Sequence, residues 1–103
     1  MDAIVYALKE ELKQASKLIQ RYRKELKELF IGSFFTRKIG KNTYGYITQS
    51  IDGRVQQQYL GKLKLDEIKE YKDQTARKKK LARLCKQAET QKDFLEKAIR
   101  HAR

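Results

Sequence analysis

The chain has no proline and no tryptophan, and only one cysteine, one histidine and five glycines. Each shortage excludes something. Without proline, nothing in the 103 residues forbids a very long helix. A lone cysteine, Cys85, allows neither an intrachain disulfide nor a cysteine-based zinc site; it reads as a small apolar residue on a helix. The lone histidine, His101, is followed only by Ala102 and Arg103 and lacks the orienting partner that a catalytic imidazole needs. Gly32, Gly40, Gly45, Gly53 and Gly61 are too scattered for a phosphate-binding loop. No His, Cys, Asp and Glu residues have metal-ligand spacing. No apolar run approaches membrane-spanning length, and the start, Met1 to Leu8, is acidic and too short for a signal sequence. These absences predict a cytoplasmic, non-catalytic protein with no cofactor and no membrane partner.

Acids are scarce as well. Thirteen Asp and Glu face 25 Lys and Arg, a net charge of +12. A field of that size attracts polyanions, of which nucleic acid is the commonest inside a cell, with an anionic membrane surface or an acidic protein as the alternative. Charged residues make up 37% of the chain and hydrophobic ones 40%, a composition suited to long amphipathic helices. The length suggests one domain spanning 1–103.

Three segments follow one another. In residues 3–30, Leu8, Leu12, Ala15, Ile19, Tyr22, Leu26 and Leu29 recur at alternating spacings of 4 and 3, the seam of a coiled coil. Gly32-Ser33 ends that helix. Residues 33–62 are rich in β-formers and turn residues. Strands are predicted at Ser33–Ile39, Thr43–Ile51 and Arg54–Leu60, joined by Gly40-Lys41-Asn42 and by Asp52-Gly53. Asp-Gly between two β-rich runs is among the strongest short-range hairpin signals. It sets Ile51 opposite Arg54, Ser50 opposite Val55, Thr48 opposite Gln57 and Tyr46 opposite Tyr59. Alternation then puts Tyr44, Tyr46, Val55 and Tyr59 on one face, expected to cover a helix end. Ile47, Gln49, Arg54, Gln56, Gln58 and Leu60 share the other.

Residues 65–102 form a second helical stretch, with Asp66 and Glu67 in the first turn where the helix dipole favours acids. Leu65, Ile68, Tyr71 and Thr75 make one apolar stripe; Leu81, Leu84, Ala88, Gln91, Leu95, Ala98 and Ala102 make another. The stripes do not join in register, which predicts a break or bend near 76–80.

Two basic clusters stand out. From 72 to 86, Lys72, Arg77, Lys78, Lys79, Lys80, Arg83 and Lys86 meet one acid, Asp73. From 30 to 64, Arg37, Lys38, Lys41, Arg54, Lys62 and Lys64 meet only Asp52. Unopposed cations of this kind displace counterions from a phosphate backbone. A two-stranded ribbon fits the DNA major groove, where glutamine pairs bidentately with adenine.

Gly32-Ser33-Phe34-Phe35, Lys41-Asn42-Thr43-Tyr44-Gly45-Tyr46, Ser50-Ile51-Asp52-Gly53-Arg54 and Tyr59-Leu60-Gly61-Lys62 resemble a pattern found in two settings. Over nearly the whole chain the layout resembles a family of small uncharacterised prokaryotic helix–β-hairpin–helix proteins. Over about 30 residues the hairpin resembles the N-terminal segment of some insertion-sequence transposases. Members of the small family often carry Gly-Pro before the aromatic strand or cysteines in the first turn; this chain has neither. The second resemblance implies a link to mobile elements and so to nucleic acid.

The expected fold is α+β and mainly helical: a long helix, a three-stranded antiparallel meander, and a long helical stretch pairing antiparallel with the first helix. The expected function is nucleic-acid binding without catalysis, duplex DNA being favoured over RNA. Arg37, Lys38, Lys41, Arg54, Lys62, Lys78, Lys79, Lys80 and Arg83 are expected at phosphates, and Gln56 and Gln58 at bases. A coiled-coil adaptor that binds an acidic protein is the alternative. Leu18, Cys85, Phe94 and Ile99 lie off the seams, and burying them predicts a homodimer built as a four-helix bundle.

Overall fold

The computed structural model describes residues 2–102. The order of elements is α1 (Ala3–Lys27), β1 (Ser33–Ile39), β2 (Asn42–Ile51), β3 (Arg54–Lys62) and α2 (Leu65–His101). Two compact units emerge, a helical unit from residues 1–28 and 79–103 and a sheet unit from residues 29–78. Helix α2 contributes its first part to the sheet unit and the rest to the helical unit.

In the helical unit, α1 starts at Asp2, whose carboxylate accepts from the Ile4 amide at 2.9 Å. This satisfies one of the amides that the first turn leaves without a partner. Lys24 and Lys27 in the last turn match the negative end of the helix dipole. The predicted seam holds, with Val5, Ala15 and Ile19 buried and Leu8, Leu12, Tyr22 and Leu26 half-buried. Ile19 packs with Cys85 and Ala88, and Tyr22 closes over them. Arg23 pairs with Glu89 and Ala15 lies beside Gln91, so residue numbers fall along α1 as they rise along α2. The two helices are therefore antiparallel.

The seam of α2 differs from expectation by one position. Leu81, Cys85, Ala88, Leu95 and Ile99 are buried, while Gln91 is exposed and Leu84 and Ala98 are only half-buried. Cys85 and Ile99, expected outside the seam, are thus covered within the chain. Of the four groups expected to drive dimerisation, only Leu18 (38% exposed) and Phe94 (68%) remain at the surface.

In the sheet unit the strands follow in the order β1-β2-β3, all antiparallel. Asp52 (φ 51°) and Gly53 (φ 77°) both adopt the left-handed backbone that a tight hairpin turn demands, and every predicted pair is found: Ile51–Arg54, Ser50–Val55, Thr48–Gln57 and Tyr46–Tyr59. The first turn is shorter than expected, because Asn42 already pairs with Ile39. β3 runs two residues further than expected, past a bulge opposite Gly45 and Tyr46. The Leu63 amide then donates to the Thr43 carbonyl at 2.9 Å.

The side of the sheet that meets the helix is the reverse of the one expected. Phe34 stacks on Tyr71 of α2 with ring centroids 4.8 Å apart, and Ile47, on the same side as Phe34, is buried. Phe30 meets Tyr71 edge-on at 5.8 Å. α1 stops at Lys27 instead of residue 30, and Leu29 and Phe30, both half-buried, belong to the sheet unit. Leu65, expected in the stripe, is 86% exposed. The half-buried positions are Ile68, Tyr71, Gln74, Thr75 and Lys78.

The N-terminus of α2 is fixed by the Lys64 amide, which donates to Glu67 Oε1 at 3.1 Å, one half of a capping box. Helical structure then runs unbroken to His101. The change of apolar register near 76–80 is real, but it marks the hand-over of α2 from one unit to the other at Lys78–Lys79 rather than a break in the helix.

Candidate nucleic-acid interface

The sheet has one face turned to α2 and one turned to solvent. Pairing places Phe35, Tyr46 and Tyr59 side by side across the three strands of the outer face. Phe35 and Tyr46 stack with centroids 5.1 Å apart and planes 13° apart; Tyr46 and Tyr59 lie at 5.3 Å, tilted by 47°. Tyr44 continues the group at 6.3 Å from Tyr59. Tyr59 is 59% exposed and Val55, further along the same face, 73%.

Beside the aromatic row runs a second, Arg37, Tyr44 and Lys62, again one residue from each strand. The Arg37 guanidinium lies over the Tyr46 ring, 5.7 Å from its centroid. That contact holds the charge against the aromatic surface and leaves the side chain exposed. On the far side of the aromatic row come Ser33, Thr48 and Gln57, which are polar and uncharged.

The residues predicted from sequence are divided between the two faces of the sheet and the helical unit. Arg37 and Lys62 meet on the outer face. Lys41 is at the tip of the first hairpin. Lys38, Arg54, Gln56 and Gln58 belong by alternation to the opposite face, where all four are exposed. Lys79, Lys80 and Arg83 are exposed on α2 within the helical unit.

Lys78 has a different occupation. Its ammonium donates to the Gly32 carbonyl at 2.6 Å and sits 4.4 Å from the centre of the Phe30 ring. Partial burial pushes its pKa below the ordinary lysine value. Gly32 itself has φ 108°, and a Cβ there would collide with the Thr48 carbonyl. Lys78 therefore closes the turn that leads into β1, and its charge is engaged inside the sheet unit.

The sequence puts Tyr44, Tyr46 and Tyr59 on one face but points to helix cover for them, whereas in the fold they lie on the outer side. It puts Phe35 in the first strand but on neither face. The available signal was the pairing of β1 with β2, which follows from the Ile39–Asn42 turn.

Residues 2–70 match a family model described as Domain of unknown function (DUF6788). The chain belongs to this family. The part that matches the DUF6788 model takes in α1, all three strands and the first turns of α2, so it includes both rows of the outer sheet face. No curated protein and no solved structure matches the chain. Among the described residues of this DUF6788 member, no cluster of His, Cys, Asp and Glu could hold a metal ion. No helix is long and apolar enough to cross a membrane. Two surface depressions of the helical unit are lined by Glu10, Leu18 and Gln91 and by Arg23, Glu89 and Glu96, among others. In the second, Arg23 and Glu89 form an ion pair at 2.7 Å. Its hydrogen bond holds the Glu89 carboxyl below the usual carboxylate range, with the Cys85 thiol adding a second donor at 3.6 Å.

Proposed function

We propose that this protein binds nucleic acid and carries out no chemistry on it. The observation that carries the reading is the charge of the sheet segment. Arg37, Lys38, Lys41, Arg54, Lys62 and Lys64 are all exposed, and Asp52 is the only acid among residues 30–64. Among the described residues none of the six makes an ion pair with a carboxylate. Cations without acidic neighbours keep their counterions loosely, and a phosphate backbone displaces those counterions at a gain in entropy. Exposed Lys79, Lys80 and Arg83 add to the field from the helical unit. The resemblance of the tyrosine-rich hairpin to the N-terminal segment of insertion-sequence transposases points the same way and suggests a role near a mobile element.

A titration against salt tests the reading. If about six phosphates are neutralised, raising salt from 50 to 200 mM should weaken binding to a duplex of arbitrary sequence by about three orders of magnitude. No binding of either duplex or single strand at 50 mM salt would remove this function. A second reading, assembly through the helical unit, is favoured by the exposed Leu18 and Phe94. Sedimentation equilibrium at micromolar concentration decides it: a mass near 12 kDa rejects a dimer.

A further inference from the structure

We infer that the outer face of the sheet is a stacking platform for single-stranded nucleic acid, with bases on Phe35, Tyr46 and Tyr59 and phosphates along Arg37 and Lys62. The inference rests on the nucleic-acid reading above and narrows it to one ligand form and one surface.

Three observations carry it. The first is the pattern of rows. An aromatic residue from each strand lies beside a row with a cation at each end, Arg37 on β1 and Lys62 on β3, with Tyr44 between them. Neighbouring strands are about 4.8 Å apart and successive rows about 7 Å apart, so the two rows are within one nucleotide of each other. A base lying on the aromatic row would bring its own phosphate to the cation row. Cross-strand packing alone accounts for rings that touch. It does not account for cations beside them on a segment almost without acids.

The second observation is the exposure of the outer row, where Tyr59 is exposed and Phe35 and Tyr46 are half-buried. The sheet buries its other side, through Phe34, Ile47 and Tyr71, and leaves Tyr59 and Val55 largely open to solvent. Aromatic side chains take any base because every base has a π-face, but only an unpaired base offers that face. A duplex presents edges and phosphates, which this row cannot use.

The third is the placement of the glutamines. Duplex readout by a β-ribbon would use Gln56 and Gln58 in the major groove. They project from the face opposite the tyrosines, so one ligand on the outer face cannot be read by both. An uncharged ligand such as a sugar, or an apolar protein surface, would satisfy the rings and leave Arg37 and Lys62 unmatched; an anionic chain with flat bases satisfies both.

The test compares fluorescein-labelled oligo(dT), oligo(rU) and a mixed-sequence duplex of equal length by anisotropy at 50 and 150 mM salt. Wild-type protein is run beside Tyr59→Leu, Tyr46→Leu and Tyr59→Phe. Leucine keeps apolar packing and removes the flat ring, and phenylalanine keeps the ring. The expected result is tighter binding of at least one single strand than of duplex, by about tenfold or more. Each leucine variant should lose single-strand affinity by about 5- to 100-fold with little change on duplex, and Tyr59→Phe should bind within about twofold of wild type. Tyrosine emission should fall on addition of oligo(dT) to the wild type. Equal affinity for both forms, preference for duplex, or a single-strand preference that survives both leucine variants overturns the platform while leaving nucleic-acid binding intact. Absence of binding to all three probes at 50 mM salt overturns both. The wild-type comparison stands even if Tyr46→Leu fails to fold.

Discussion

The helical unit and the sheet unit handle the same excess of positive charge in different ways. In the helical unit, acids alternate with bases along both helices: Glu10, Glu11 and Glu25 on α1 with Glu28 at its C-cap, and Glu89, Asp93 and Glu96 on α2. Its core is a regular seven-residue seam, and the Arg23–Glu89 ion pair ties the two helices together. In the sheet unit, four acids gather on the first turns of α2, at Asp66, Glu67, Glu70 and Asp73, and leave the strands with Asp52 alone. Overall charge therefore says little about where an anion would bind. What matters is which secondary structure was left without acids.

The contrast can be tested first through stability. Leu81 is the most deeply covered side chain, 1% exposed, and it lies at the start of the helical unit's share of α2. Leu81→Ala should cost about 2–5 kcal/mol, as truncations of large buried side chains do. Urea unfolding followed by far-ultraviolet circular dichroism measures the loss. Hydrogen exchange should show it concentrated in residues 79–101, with the strand amides less affected; uniform loss would mean that the two units do not open separately.

A smaller effect is expected in the sheet unit from Lys78→Met. The methionine keeps contact with Phe30 but abandons the Gly32 carbonyl. Loss of a partly buried hydrogen bond to a charged donor should cost about 1–3 kcal/mol. The same substitution should leave nucleic-acid affinity nearly unchanged, in contrast to Arg37→Ala, because the Lys78 charge is engaged within the protein. A large loss of affinity on Lys78→Met would return that lysine to the binding surface.

The smallest effect concerns acid. The folded pKa of Glu89 lies below its unfolded value because Arg23, and then Cys85, donates to the carboxylate. Its contribution is therefore fully present above the ordinary carboxylate range and is lost as pH falls through the lowered folded value. Glu89→Gln should flatten the acid limb of the stability profile slightly, the pair being solvent-exposed and so only weakly stabilising. An acid limb with the same slope in both proteins would assign the dependence to other groups.

Much of the architecture was legible in the residues. Asp52-Gly53 specified the register of β2 with β3, because a two-residue turn leaves only one way to align the strands. The seam of α1 was legible because its apolar residues follow one heptad phase. The seam of α2 was not, because two phases compete there: Leu84 and Ala98 support one, Cys85 and Ile99 the other, and Ile19 on α1, packed with Cys85, goes with the second. The covered side of the sheet was illegible for a related reason. Both sides carry rings, and only Tyr71, distant in sequence, shows that Phe34 faces inward and Phe35 outward. Of the candidate site, the cations were readable from composition. Their division between faces and units was not, since it depends on β1 pairing and on the point where α2 changes unit.

The bulge in β3 has a consequence for counting along the strand. Tyr59 and Lys62 are separated by an odd number of positions, and in an uninterrupted strand they would point to opposite sides. Yet Tyr59 lies opposite Tyr46 and Lys62 opposite Tyr44, which share one side. Leu60 is the surplus residue that resets the count, and Gly61, at φ 86°, makes the local kink. Before the bulge odd-numbered residues face outward; after it even-numbered ones do. The same shift sends Leu63 inward, where it is buried against Gly45, a position with no room for a Cβ. Straightening the bulge with Leu60 still in place, so that Leu60 faced Gly45, would turn the lysine toward the packed side and the leucine toward water. Deleting Leu60 would instead restore plain alternation, with Lys62 still outward and Leu63 still inward, and would cost only the kink.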